Sequence, residues 1–130
     1  DILAANKIVK KKLINAQDVL IGLAASGNTP FTCRVLEQAS EKGALTIAIS
    51  NNPKGKLLEF GTCKIILDTK EELITGSTRL KAGTAQKICL NIISSLVMVK
   101  MGRVKNAKMS HMLPTNQKLR ERKIRIDSTI

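Results

Sequence analysis

The sequence predicts an α/β fold in three layers, with helices on both faces of a parallel sheet. Two continuous apolar runs, residues 19–24 and 44–50, are typical of parallel strands that are covered on both faces. A helix signal separates them, with Thr29 and Pro30 at its start and Gly43 as its stop. Strands that alternate with helices through short links favour right-handed crossovers, and therefore a Rossmann-type layering.

The remaining elements follow closely along the chain. We expect a single domain in three parts, which are a leading helix (1–16), an α/β core (17–102) and a basic helical segment (103–130). In chain order the predicted elements are an amphipathic helix over 1–15, strand 19–24, helix 30–42, strand 44–50, a turn at 51–55, a short helix at 56–60, strand 63–68, a long helix over 78–101 and a last helix over 116–126.

The composition limits the class of protein. The chain has 130 residues, of which 43% are hydrophobic and only 2% aromatic, so the core must be aliphatic. Cys33, Cys63 and Cys89 lack disulfide or zinc spacing and are predicted to be buried thiols in a reducing compartment. No metal or cofactor is expected. No signal peptide is evident, and the apolar run at 88–101 is interrupted and short, which indicates a cytoplasmic protein and no membrane span.

The charge points to an anionic ligand. The formal net charge is +12, and no acidic residue lies between Glu72 and Glu121. Such a field attracts phosphates, including those of nucleic acids. Nucleic acid is the less favoured partner because Trp and Tyr are absent and no binding motif is present. The lysines at 7–12 are better explained as the solvated face of the leading helix.

Two predicted helix starts carry hydroxyl groups, at residues 24–30 and 76–87. The unpaired N–H groups and the positive dipole end of a helix favour a phosphate there. The alternative is that Ser77 or Thr78 only caps a helix and that the nearby cations are solvated or pair structurally. Two such loops, both expected at the carboxyl edge of the sheet, favour a phosphorylated small molecule. The candidate contacts are Ser26, Gly27, Ser77, Thr78, Arg79 and Lys81.

Residues 24–30, 72–87 and 115–119 carry a resemblance to a known family. They resemble N-acetylmuramic acid 6-phosphate etherases, members of the sugar isomerase (SIS) domain superfamily, and the similarity extends from about residue 17 to 126. The resemblance implies a metal-free lyase that removes D-lactate from the sugar and leaves N-acetylglucosamine 6-phosphate, in the recycling of cell-wall peptidoglycan. It also implies a hexosamine 6-phosphate ligand and a homodimer, for which the apolar helix at 78–101 is the predicted interface.

The chain departs from the family pattern at several positions. Etherases carry another phosphate loop and two catalytic glutamates upstream of the segment that matches residue 17, so the resemblance implies a partial SIS domain, incomplete at its N-terminus and inactive by itself. Lys70 and Glu71 stand where the family usually has Gly-Pro. Asn28 stands where Arg is frequent, and Ala107 and His111 replace Asn and Asp.

Glu72 is the candidate for acid–base chemistry, which the elimination requires. By the resemblance, its position is similar to that of the acidic residue that transfers protons in related sugar isomerases, but it could equally cap a turn or pair with Arg79. His111 is expected to have a surface or capping role. Three functions remain open: the etherase or its sugar-phosphate-binding part, a non-catalytic SIS module that senses a phosphosugar, and, less favoured, a basic nucleic-acid binder.

Overall fold

The computed structural model describes residues 2–128, which fall into two compact units divided between Lys87 and Ile88. The helices are α1 (Ile2–Lys11), α2 (Pro30–Glu41), α3 (Lys81–Lys100) and α4 (Gln117–Asp127), with a 3-10 helix at Lys56–Phe60. The strands are β1 (Val19–Ala24), β2 (Leu45–Ser50), β3 (Cys63–Ile66), β4 (Val104–Lys105) and β5 (Lys108–Met109). The predicted alternation of strands and helices is therefore confirmed.

The first unit contains a parallel sheet in the order β1-β2-β3. Its register pairs Ala24 with Ser50 and Ser50 with Ile66, so the three strands end side by side. The segments that leave these strands therefore start from one edge of the sheet, where parallel α/β sheets bind their ligands.

Aliphatic side chains form the core of this unit, as the composition predicts. Leu36 of α2 and Leu57 of the 3-10 helix are fully buried, and both pack with Ala48 of β2. Cys33 and Cys89 are buried, but Cys63 is exposed. The prediction of a buried thiol was wrong there because Cys63 lies on β3, which is an edge strand among the described residues.

Three predicted boundaries were wrong by two residues or more. Helix α1 ends at Lys11 rather than at residue 15, since Leu13 adopts a positive φ of 52° that a helix cannot contain. Strand β3 ends two residues early. Helix α3 begins at Lys81 rather than at 78, because residues 77–80 form a turn in which the Leu80 N–H donates to the Ser77 carbonyl at 3.1 Å. Residue 1, which the sequence places in the leading helix, lies outside the described residues.

The second unit contains a hairpin that the sequence analysis did not predict. Strands β4 and β5 pair antiparallel, and Asn106 and Ala107 connect them with φ values of 48° and 58°. Positive φ at both central residues is the geometry of a type I′ turn, but the usual Gly in second position is an Ala here, which hides the signal. Helix α4 was predicted correctly to within one residue, and the Asn116 side chain caps it by accepting from the Leu119 N–H at 2.9 Å.

The apolar stripe of α3 is exposed in the single chain, and the interface with a second subunit that was predicted for this helix stays a prediction. Ile88, Ile92 and Leu96 are 53%, 53% and 57% exposed. Within residues 2–128, the apolar stripe is therefore left largely uncovered. By length and composition alone, α3 is the one helix among the described residues that could cross a membrane, a test that core helices of water-soluble proteins also pass.

Candidate functional site

The first loop (residues 25–28) connects β1 to α2 and presents Ser26 at the edge of the sheet. Gly27 adopts a φ of +69°, and its N–H donates to the Ala24 carbonyl at 3.1 Å, so the chain turns sharply after the strand. Ser26 is exposed, and its Oγ accepts from the Asn28 N–H at 3.2 Å. Because that contact uses the oxygen as an acceptor, the hydroxyl hydrogen of Ser26 can be donated to a ligand.

Gly27 seats the first loop against the turn that follows β2. A Cβ atom at Gly27 would lie 2.5 Å from the Gly55 Cα and 2.6 Å from the Ser50 Oγ. Only a residue without a side chain allows the two turns to approach so closely. The structure thus gives the buried Gly27 a packing role, and its contact with a ligand stays a prediction.

The start of α2 is open to an anion. Thr29 precedes the helix in an extended conformation, and its side chain makes no capping hydrogen bond. Pro30 has no N–H, so the N–H groups of Phe31 and Thr32 are those that helix geometry leaves unpaired at this end. This end therefore keeps both the free donors and the dipole that bind phosphate in other proteins.

Lys56 adds a positive charge beside the start of α2, and the sequence analysis missed it. Its backbone N–H donates to the Asn28 Oδ1 at 3.0 Å, and Lys56, Asn28 and Pro30 line one cavity of 220 Å³. Burial raises the pKa of the Cys33 thiol in the first turn of α2, while the Lys56 ammonium opposes that rise. The sequence signal that could have identified Lys56 was its position directly after the predicted turn at 51–55.

The start of α3 is closed by the protein's own carboxylate. Glu72 lies in the second loop (residues 67–80), and its Oε1 and Oε2 accept from the N–H groups of Ala82 and Lys81 at 2.9 and 3.0 Å. The donation from the Ala82 N–H, with that from Lys81 and the Lys81 charge, outweighs partial desolvation and holds the pKa of Glu72 below its ordinary value. The capping alternative for Glu72 is thus confirmed as a contact, while its role in catalysis stays a prediction.

The other predicted contacts lie in or beside the second loop. Ser77 is half-buried, and its backbone N–H donates to the Ile74 carbonyl at 2.9 Å. Thr78, Arg79 and Lys81 are exposed. The backbone N–H groups at this helix start were predicted to face a phosphate, but those of Lys81 and Ala82 are occupied by Glu72.

Lys70 lies in the turn before Glu72 in a backbone conformation that usually favours glycine. It adopts a φ of +57°, a conformation that costs an L-residue energy and that Gly adopts freely. Asp68 holds it there, accepting from the Lys70 backbone N–H at 3.3 Å and from its ammonium at 2.5 Å. The turn before Glu72 is therefore kept in the left-handed conformation without a glycine.

Asn51 and Asn52 link the two loops. The Asn52 Nδ2 donates to the Ser26 carbonyl at 3.0 Å, and the Asn51 N–H donates to the Ala25 carbonyl at 3.2 Å. On its other side, the Asn51 Oδ1 accepts from the Gln86 Nε2 of α3 at 2.7 Å. The predicted turn at 51–55 thus lies beside the first loop, but Gln86 was missed because its partner is 35 residues away.

His111 lies in the second unit, away from these loops in the sequence. It is exposed, and its Nδ1 lies 2.9 Å from the Ser110 Oγ. Within residues 2–128 there is no group of three or more His, Cys, Asp or Glu side chains arranged to hold a metal ion.

Known proteins resemble this chain over most of its length. The SIS domain family model matches residues 5–96. N-acetylmuramic acid 6-phosphate etherase of Deinococcus radiodurans is 45% identical over 123 residues, which is 95% of this chain and 40% of that protein. The etherase of Shouchella clausii is 48% identical over 87% of this chain and 38% of its own length. The etherase of Staphylococcus saprophyticus is 46% identical over 94% of this chain and 41% of its own length.

The chain spans about 40% of the length of these curated relatives. Since the domain model covers well over half of the chain, the protein belongs to the SIS domain family.

Proposed function

We propose that this chain supplies the phosphosugar-binding part of an N-acetylmuramic acid 6-phosphate etherase. The observation that carries the proposal is its 44–48% identity to proteins of that name over most of its residues. The whole protein would be a carbon–oxygen lyase that cleaves the D-lactyl ether of a hexosamine 6-phosphate in peptidoglycan recycling. A bound sugar phosphate also accounts for the basic charge and the open helix start.

The phosphate group would bind at the start of α2. The N–H groups of Phe31 and Thr32 lie at the positive end of that helix, and the Ser26 hydroxyl can donate beside them. Lys56 would add positive charge to the same end. The start of α3 is less suitable because Glu72 already fills it with a negative charge.

The second loop would contact the rest of the sugar. The Ser77 and Thr78 hydroxyls can each donate to and accept from a sugar hydroxyl. Arg79 and Lys81 are exposed cations that would add to the field drawing the phosphate ester toward the site. Gly27 would bring the backbone of the first loop close to the ligand.

The groups that act as acid and base in the elimination are expected outside the two loops that bind the sugar phosphate. Glu72 is a weak candidate for the general base because both its oxygens accept backbone hydrogen bonds, which stabilise the carboxylate and lower its pKa. The resemblance assigns the main catalytic glutamates to a part of the etherase that this chain does not match. We therefore expect the chain alone to bind the product sugar phosphate but not to release D-lactate.

A second function is a phosphosugar-sensing module without catalysis. It is favoured by the engagement of Glu72, the candidate acid–base group, in a structural cap. Release of D-lactate from N-acetylmuramic acid 6-phosphate by the whole protein would support the etherase. Binding of the sugar phosphate without any release would support the sensor.

We also propose that the protein acts in the cytoplasm as a homodimer. Support comes from the exposed apolar residues of α3, which a second subunit would cover. Sedimentation of the whole protein and of an Ile92→Glu variant tests this. A dimer that the substitution converts to monomer is expected, and an unchanged dimer would exclude α3 as the interface.

Calorimetric titration of the chain with N-acetylglucosamine 6-phosphate tests the binding site. The unphosphorylated sugar should bind at least about 100-fold more weakly, since charge-assisted hydrogen bonds are lost. Ser26→Ala should weaken the phosphosugar by about 10-fold, and Ser40→Ala, an exposed serine of α2, is the control. Equal affinity for both sugars would contradict a phosphate site. Tight, salt-sensitive binding of DNA without binding of the sugar phosphate would favour the nucleic-acid alternative.

A further inference from the structure

We propose that Asn51 is a positioning residue that, together with Gln86, holds the first and second loops in one arrangement before any ligand binds. The inference rests on the proposed function, in which both loops contact one phosphosugar. Neither side chain needs to touch the ligand. Their effect on affinity would come from keeping the open start of α2 and the hydroxyls of the second loop at a fixed separation.

Asn51 contacts three segments at once. Its backbone N–H donates to the Ala25 carbonyl of the first loop at 3.2 Å. Its Nδ2 donates to the Leu67 carbonyl at 3.0 Å and lies 3.4 Å from the Thr69 Oγ1, both at the beginning of the second loop. Its Oδ1 accepts from the Gln86 Nε2 at 2.7 Å. One half-buried residue thus joins the three segments, with its backbone on the first loop and its side-chain amide on the second loop and on α3.

The orientation of this amide is fixed by its partners. A carbonyl oxygen can only accept, so the nitrogen of the Asn51 amide must face Leu67 and its oxygen must face Gln86. Gln86 then has to present its own nitrogen, as it does. Aspartate cannot donate to Leu67, and glutamate at position 86 cannot donate to Asn51, so the isosteric acids break the bridge without changing its shape.

The turn that carries Asn51 is itself rigid. The fully buried Ser50 Oγ donates to the Asn52 carbonyl and accepts from the Asn52 N–H, both at 3.0 Å. The Asn52 Nδ2 continues to the Ser26 carbonyl at 3.0 Å. If the second loop shifted and moved Asn51, Ser26 would therefore move with it.

A double-mutant cycle on this chain tests the proposal. The variants are Asn51→Ala, Gln86→Ala and both together, with Asn91→Ala as the control that removes an exposed amide from the same helix. Affinity for N-acetylglucosamine 6-phosphate is measured by calorimetry. Each single variant should lose about 10-fold in affinity, the double variant no more than the larger single loss, and the control less than about 2-fold.

Single losses that multiply in the double variant, or no single loss at all, would overturn the proposal. Gln86→Glu should match Gln86→Ala, and wild-type affinity in Gln86→Glu would also overturn it.

Amide hydrogen exchange without ligand separates this proposal from the proposed function. Asn51→Ala should speed exchange at Gly27 and Asn28 in the first loop and at Lys81 and Ala82 at the start of α3, by a similar factor. Acceleration confined to one of these segments would show that Asn51 does not couple them, whatever the protein binds. Joint acceleration in a protein that binds no sugar phosphate would support the coupling while contradicting the proposed function.

Discussion

The starts of α2 and α3 look alike in the sequence and differ in the structure. Both follow a turn rich in small and hydroxyl-bearing residues, and both were predicted to face a phosphate. At α3 a carboxylate nine residues upstream of Lys81 occupies the N–H groups, whereas the Thr29 side chain leaves those of α2 without a cap. The physical preference of a helix start for an anion is the same in both. What differs is whether the protein supplies that anion itself.

Gly27→Ala should have the largest effect on stability, because it disrupts the close packing that holds the first loop at the start of α2. The new Cβ would lie 2.5 Å from backbone at Gly55, and the residue would keep a φ of +69°. Overpacking and left-handed strain together should cost about 3 kcal/mol of unfolding free energy, measured by urea denaturation.

Gly76→Ala is the matched control for that substitution. Gly76 also has a positive φ, of 79°, but a Cβ there would meet no atom of the described residues within 4 Å. Gly76→Ala should lower the unfolding free energy only through left-handed backbone strain, by about 1 kcal/mol. Equal losses for the two variants would show that the contact between the two turns does not constrain the first loop.

Glu72→Ala should make the start of α3 resemble that of α2. Loss of the cap should lower the unfolding temperature, and the freed N–H groups should bind inorganic phosphate or sulfate more tightly than in the wild type. Glu71→Ala removes the same charge from an exposed neighbour and controls for net charge. An equal gain in anion binding in both variants would show that overall charge, not the cap, controls access.

Thr29→Asp should make the converse change at α2. A carboxylate at this position can cap the helix and should add about 1 kcal/mol of unfolding free energy. It should also compete with the phosphate and weaken N-acetylglucosamine 6-phosphate by about 10-fold or more. Thr29→Asn, which caps without charge, should lose less affinity, and unchanged affinity in Thr29→Asp would place the phosphate elsewhere.

The smallest expected effect is a change in how the unfolding temperature depends on pH. Because the pKa of Glu72 is lowered in the folded chain, its contribution to stability is complete above its ordinary pKa. That contribution is lost as the pH falls through the folded value. The difference in unfolding temperature between the wild type and Glu72→Gln should therefore be largest near neutral pH and shrink below the ordinary pKa of a glutamate. A difference that grew on acidification would contradict a stabilised carboxylate.

Local sequence patterns predicted the three strands of the parallel sheet, the order of the helices and the first loop, because these depend on apolar periodicity and on Pro30 and Gly43. The cap by Glu72, which closes the start of α3, was only one of the alternatives for that residue, and the Asn51–Gln86 bridge was missed because its two residues are 35 positions apart. The hairpin at 104–109 was missed because Ala107 adopts a conformation that usually marks a glycine. The exposed face of α3 shows the limit of periodicity, which identifies an apolar stripe but not what covers it.

The most direct test is the amide chemical shift of the two helix starts during titration with N-acetylglucosamine 6-phosphate. If the open start holds the phosphate, the N–H resonances of Phe31 and Thr32 should move strongly and saturate with the calorimetric affinity. Those of Lys81 and Ala82, bonded to Glu72, should move far less. Larger shifts at Lys81 and Ala82 than at Phe31 and Thr32 would contradict the account.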